Sequence, residues 1–244
     1  MGLTKREIEL EHRVAELSAQ TREVPQLRAK TAVLQKERDK LLQQLGLIES
    51  LDCGRIAVPD WLAPPKPVRG HHATLCLLVT DTHFDEVVNP EEVDGINCYN
   101  REIAELRLRR CFERAIMLAR DYLSGIKYDG VALFIGGDIF SGNIHEELAR
   151  TNADTLFGSL LHWIGPLEAG IGMLADEFKR VHIAAVPGNH GRMTRKPIAK
   201  RRAADNLDWL LYRLMARELA SDSRITWTIA DAADAQVQIY KTRY

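Results

Sequence analysis

Three short apolar runs constrain this chain more than any other feature: ATLCLLVTD at 73–81, GVALFIGGD at 130–138 and VHIAAVPGNH at 181–190. Each is short, rich in aliphatic residues and closed by a polar cluster, which predicts a buried strand. Between them the hydrophobic period becomes helical, over 99–123 and from about 146 to 178, with an interruption expected near Gly165 and Pro166. A further helix starts near Ala203 and closes in ARELA, and two short strands follow, 224–230 and 235–244, around a DAAD turn. Strands joined by helical crossovers lie parallel, with helices on the faces of their sheet. The predicted fold class is α/β.

The first part of the chain has a different pattern. Over residues 1–50, Leu10, Val14, Leu17 and Val24 follow a three-four spacing and Leu27, Leu34, Leu41 and Ile48 recur every seven, with charged residues between them. This predicts an N-terminal coiled-coil helix and a homo-oligomer built through it. The alternative is an amphipathic helix folded back on its own domain. The two registers meet at Pro25, where a kink or break is expected. Residues 51–70 hold Pro59, Pro64, Pro65 and Pro67 and form a Pro-rich linker, which leaves 71–244 as the principal domain.

Composition narrows the partners. With 33 Lys+Arg against 34 Asp+Glu and a net charge of −1, any case for nucleic acid has to come from local clustering. Four cysteines without a CxxC pair predict buried or half-buried free thiols in a reducing compartment. The charged start MGLTKREIELEHR and the absence of a long apolar run predict a cytoplasmic protein with no membrane partner.

The chemistry lies at the ends of the three strands. Asp81-Thr82-His83, Gly136-Gly137-Asp138 and Gly188-Asn189-His190 follow them directly, and parallel strands bring their carboxyl ends to one edge. Carboxylate, imidazole and amide oxygen make a donor set for manganese, iron or zinc. The glycines let the backbone turn and aim the next side chain into the crevice.

In that order the three clusters resemble the motif set of the calcineurin-like metallophosphoesterases, over about residues 73–244. FIGGDIF, a long helix and then VPGNH look most like the branch of DNA-repair exonucleases and their phage-encoded relatives. The resemblance implies an αββα sandwich and a two-metal phosphoesterase. It implies two divalent ions, manganese foremost with iron or zinc as alternatives. Asp81 and His83 would hold the first ion, Asp138 would bridge both and Asn189 would bind the second. His190 would protonate the leaving oxygen or steady the transition state. Two departures stand out: Gly191 follows His190 where the family carries an acid, and no histidine follows His190 although the family completes its site with later ones. The expectation is a domain incomplete at its C-terminus, whose last strand, 235–244, presents an open edge.

Five other histidines are candidates to complete the site. His71, His72 and His182 sit at the far ends of their strands, roughly 26 Å away at about 3.3 Å per residue. His162 reads as a partly buried helix residue, which leaves His145, on the loop after Asp138, as the local candidate. Directly after GNH, Arg192, Arg195, Lys196, Lys200, Arg201 and Arg202 form a basic segment able to hold a phosphate backbone, DNA more than RNA. Trp209 and Tyr212 read as core residues. The leading expectation is a metal-dependent phosphoesterase cleaving a phosphodiester in nucleic acid. The alternatives are a phosphomonoesterase of the same fold and a catalytically silent coiled-coil scaffold.

Overall fold

Side chains that alternate between the two faces of each strand set the architecture. In the computed structural model, which describes residues 5, 6, 9, 10, 12–14, 30–39, 59–62 and 71–244, the strands β1 (His71–Val79), β2 (Ile126–Ile135), β3 (Val181–Ala185) and β4 (Ile225–Ile229) form one parallel sheet in the order β1-β2-β3-β4. Val131, Leu133 and Ile135 of β2 and Val181, Ile183 and Ala185 of β3 point to one face. There they meet helices α1 (Arg101–Met117), α3 (Leu156–Phe178) and α4 (Leu207–Glu218), with Phe112, Trp163, Ile171, Leu174, Leu211 and Met215 buried between. A sheet that grows in one direction through crossovers of one hand places its crossover helices on the same face.

The opposite face has a thinner cover. Leu62 of a short 3-10 turn (Asp60–Leu62) and Val237 and Ile239 pack on Ala132 and Ala184. Here the expected single strand over 235–244 is instead a hairpin. β5 (Gln238–Ile239) and β6 (Thr242–Arg243) pair antiparallel, and Val237 and Tyr244 exchange backbone hydrogen bonds at 3.1 and 2.9 Å. Tyr240, at φ 54°, turns the chain, and its N–H donates to the Leu62 carbonyl at 2.7 Å. The αββα arrangement calls for a second full sheet, and among the described residues the hairpin is what lies on this face. Leu78, on the edge strand, stays 62% exposed.

Each long helix opens on a side-chain cap. Asn100 accepts from Ile103 N–H at 2.9 Å, Thr155 from Gly158 N–H at 3.1 Å and Asn206 from Asp208 N–H at 2.8 Å. The last helix therefore starts at Leu207 rather than near Ala203. Helix α1 widens into a π turn (Leu118–Tyr122), whereas α2 (Glu146–Thr151) is a single short piece. The interruption expected at Gly165 and Pro166 does not occur, because α3 runs unbroken through Pro166. An internal proline costs about 3 kcal/mol. The burial of Trp163, Leu167, Ile171 and Leu174 around it outweighs that cost.

The expected buried or half-buried thiols are also corrected in part: Cys76 and Cys98 are free and exposed, and Cys111 is half-buried. Among the described residues no helix is long and apolar enough to cross a membrane. The chain divides into two units, Met1–Arg55 and Ile56–Tyr244. In the first, the described positions are helical and Leu10 and Leu34 of the apolar stripe are exposed. Leu17, Val24, Pro25, Leu27, Leu41 and Ile48, on which the coiled-coil reading also rests, lie outside the described residues, as does most of the linker.

Candidate metal centre

Three loops leave the carboxyl edge of the sheet, and their backbones assemble first. Past the regular strands, Asp81 N–H donates to the Gly137 carbonyl at 3.1 Å, His83 N–H to the Asp138 carbonyl at 3.2 Å and Phe84 N–H to the Ile139 carbonyl at 2.9 Å. Asp81, His83 and Asp138 take left-handed backbone there, with φ of 51°, 44° and 50°. Such a conformation costs a non-glycine residue of the order of 1–2 kcal/mol and persists where its surroundings impose it. The loop-to-loop bonds do so, with help from Tyr99, whose hydroxyl donates to the Thr82 carbonyl at 2.7 Å.

The third loop comes in by direct backbone contact. A Cβ on Gly137, itself at φ 86°, would lie 2.1 Å from Gly188 N, and one on Gly188 would lie 2.1 Å from Asp138 Oδ1. Only glycine at both positions allows this approach. The contact aims the Asp138 carboxylate, whose Oδ1 accepts the His190 N–H at 2.7 Å.

What converges is a triad. One ligand atom each from His83, Asp138 and His190 fall within 4.8 Å of one another, and the two imidazoles meet edge to face with centroids 4.7 Å apart. His190 Nδ1 lies 2.8 Å from the Ser141 carbonyl, so that nitrogen carries the proton and Nε2 keeps its lone pair. His83 Nδ1 lies 3.3 Å from Ser141 Oγ, which is also 3.3 Å from Glu86 Oε2. Ser141 is held in turn through its N–H, which donates to Asp85 Oδ1 at 2.7 Å. Asp85 is fully buried, and burial pushes its carboxyl upward in pKa. Two imidazoles and a carboxylate, with tautomers set by neighbouring acceptors, form a borderline-to-hard donor set. The residues present fit a divalent ion.

Sequence reasoning missed Asp208. It is 0% exposed at the start of α4, where its Oδ2 accepts the N–H groups of Asp138 and Gly188, both at 3.0 Å. Burial, with the charge of Asp138 as a smaller contribution, pushes its pKa up to about 7. Tyr212, one turn further on and fully buried, donates to the Val186 carbonyl at 3.3 Å. The available signal was the Asn206-Leu207-Asp208 cap, which reads as an ordinary helix start.

The remaining candidates divide. Asp81 is exposed, its carboxylate accepts the Thr80 hydroxyl at 2.7 Å, and it does not join the triad. Asn189 is also exposed. His145 is exposed on the loop beside the site, its ring 6.4 Å from that of His190. His162 is a partly buried helix residue, 2.6 Å from Glu105. Of the basic segment, Arg192 braces its own loop, donating to the carbonyls of Asn189 at 2.8 Å and Thr194 at 3.1 Å. Arg195 pairs with Glu146 at 3.0 Å on the surface. Lys196, Lys200, Arg201 and Arg202 are exposed. Tyr212 is core as expected, whereas Trp209 is half-buried under the Arg213 guanidinium, 4.9 Å from its ring. No family model, curated protein or solved structure matches this chain.

Proposed function

We propose that this chain is a metal-dependent phosphoesterase that hydrolyses a phosphodiester, with nucleic acid as its substrate class. The observation that carries the reading is the meeting of His83, Asp138 and His190 at the carboxyl edge of a parallel sheet. Divalent ions held there, manganese foremost with iron or zinc as alternatives, would supply Lewis acidity toward a phosphoryl oxygen and would lower the pKa of an attacking water. His83 and His190 each spend one ring nitrogen on Ser141 and keep the other for a ligand. Asp138 contributes the anionic donor and is aimed by the His190 N–H. This set accounts for one ion, so the two-metal reading would draw on the exposed Asp81 and Asn189 for a second. Lys196, Lys200, Arg201 and Arg202, on the segment leaving His190, offer cations to a phosphate backbone.

Three substrates test this in the full chain with manganese: bis(para-nitrophenyl) phosphate, para-nitrophenyl phosphate and end-labelled DNA. The expected result is cleavage of the diester and the DNA, abolished by EDTA and by His83→Ala. Cleavage of the monoester alone would move the reading to a phosphomonoesterase, and metal uptake without turnover would leave a binding scaffold. Replacing Lys196, Lys200, Arg201 and Arg202 together should weaken DNA binding and flatten the slope of log K against log salt. An unchanged slope would mark the segment as solvated surface.

A further inference from the structure

We infer that Asn206 and Asp208 are positioning residues of this centre: from the start of α4 they clamp together the two loops that carry Asp138 and His190. The inference rests on reading His83, Asp138 and His190 as a metal site.

The geometry is specific to those loops. Gly188 is held at both of its backbone groups, its N–H donating to Asp208 Oδ2 at 3.0 Å and its carbonyl accepting from Asn206 Nδ2 at 2.7 Å. The same Asp208 oxygen takes the Asp138 N–H at 3.0 Å, so one buried atom spans two strand-end loops. Asn206 also aims its partner, because its Oδ1 accepts the Asp208 N–H at 2.8 Å. The loop of His190 is held once more at Leu207, whose N–H donates to the Gly191 carbonyl at 2.7 Å. Gly191 leaves room for this clamp. A Cβ at 191 would lie 2.4 Å from Asn206 Oδ1 and 3.0 Å from the Asp208 carboxyl carbon, so the clamp occupies the space a side chain would need.

The clamp controls two of the three ligands. Asp138 sits in left-handed backbone at φ 50°, and its N–H has the Asp208 acceptor. His190 follows Gly188 by two residues and bonds back to Asp138 Oδ1. Without the shared acceptor, two buried N–H groups lose their partner and both loops are free to relax. A ligand set spread within 4.8 Å tolerates little of that.

Calorimetric titration with manganese of full chains tests the clamp. Asp208→Asn keeps an oxygen that accepts both N–H groups and should bind within about threefold of wild type, whereas Asp208→Leu, similar in volume but without an acceptor, should bind at least tenfold more weakly. Gly170→Ala, whose new methyl would meet the Phe112 ring 2.3 Å away in the helix layer, is the control for general destabilisation and should bind as wild type does. Wild-type affinity in a folded Asp208→Leu overturns the clamp. If that variant does not fold, Asn206→Ser takes its place, since it keeps a cap oxygen and removes only the donor to Gly188; unchanged affinity there overturns the role of Asn206. If wild type itself takes up no manganese, the metal reading fails separately. The clamp is then judged from hydrogen exchange at the Asp138 and Gly188 amides. Protection in wild type and Asp208→Asn that is lost at least tenfold in Asp208→Leu, or in Asn206→Ser at Gly188, supports it, and equal protection overturns it.

Discussion

Histidines lie on one sheet in two settings, and the contrast separates a candidate ligand from a structural residue. At the carboxyl edge, His83 and His190 each have Nδ1 near Ser141 and stand edge to face beside the Asp138 carboxylate. Nearer the amino ends, His182 on β3 has both ring nitrogens occupied, Nδ1 2.9 Å from the Thr226 hydroxyl and Nε2 3.1 Å from that of Thr228. It is 1% exposed, and burial lowers its pKa to about 4. His72 on β1 lies 2.8 Å from Asp129, whose other oxygen accepts the Tyr240 hydroxyl at 2.9 Å, so that pair fastens the C-terminal hairpin to the sheet. His182 is thus saturated where it serves packing, and His83 and His190 each keep one ring nitrogen for a ligand at the carboxyl edge.

The contrast is broken most severely at Asp138. Asp138→Asn should reduce phosphodiesterase activity to background while circular dichroism stays that of wild type, because the amide oxygen can still accept the His190 N–H but the charge that holds a cation is gone. Wild-type turnover in this variant would remove the carboxylate from the mechanism.

His182 sharpens the other setting through pH. Its folded pKa, about 4, lies below its unfolded value of 6.5, so the unfolded chain takes up the proton first as pH falls. The stability from neutral His182 is fully present above about pH 6.5 and is lost progressively down to about pH 4, a change of the order of 3 kcal/mol. Urea unfolding of wild type and His182→Gln at both limits isolates this contribution from the carboxylates common to both. The variant should show a shallower loss over that window, and parallel pH profiles would show that His182 titrates alike folded and unfolded.

The smallest effect concerns the fastening at the amino end. Tyr240→Phe removes the donor to Asp129 and the acceptor for Thr74, and it should cost about 1–2 kcal/mol without affecting manganese binding. A matching loss of metal affinity would mean that the two ends are coupled and that the contrast between them is not one of independent sites. Thermal melts beside calorimetric titrations measure both quantities on the same sample.

Much of this was readable from residue order. The strands of the sheet, their parallel arrangement and the convergence of three polar clusters follow from apolar runs that end in those clusters, since period and length carry that information locally, whereas His190, expected as a proton donor, stands among the candidate ligand atoms. The far-end placement of His72 and His182 follows from position along a strand alone. Asp81 and Asn189 carry the same strand-end signal, yet both side chains are exposed and Asp81 stands outside the triad, because a strand-end position does not set a side chain's direction. Arg192 likewise reads in the sequence only as a charge, and the structure adds that its guanidinium donates to the carbonyls of its own loop.

What the sequence determined by itself is the α/β frame and the edge at which its polar ends collect, because hydrophobic period and crossover length act over neighbouring residues. Tertiary structure alone decided that Pro166 stays inside a helix, that 235–244 doubles back as a hairpin, and that Asp208, 20 residues beyond Gly188, accepts the N–H groups of Gly188 and Asp138. Each of these depends on burial against distant partners. A cap motif or a proline has the same local appearance whether it is buried or solvated, and the free energy that separates those outcomes lies in contacts across the fold.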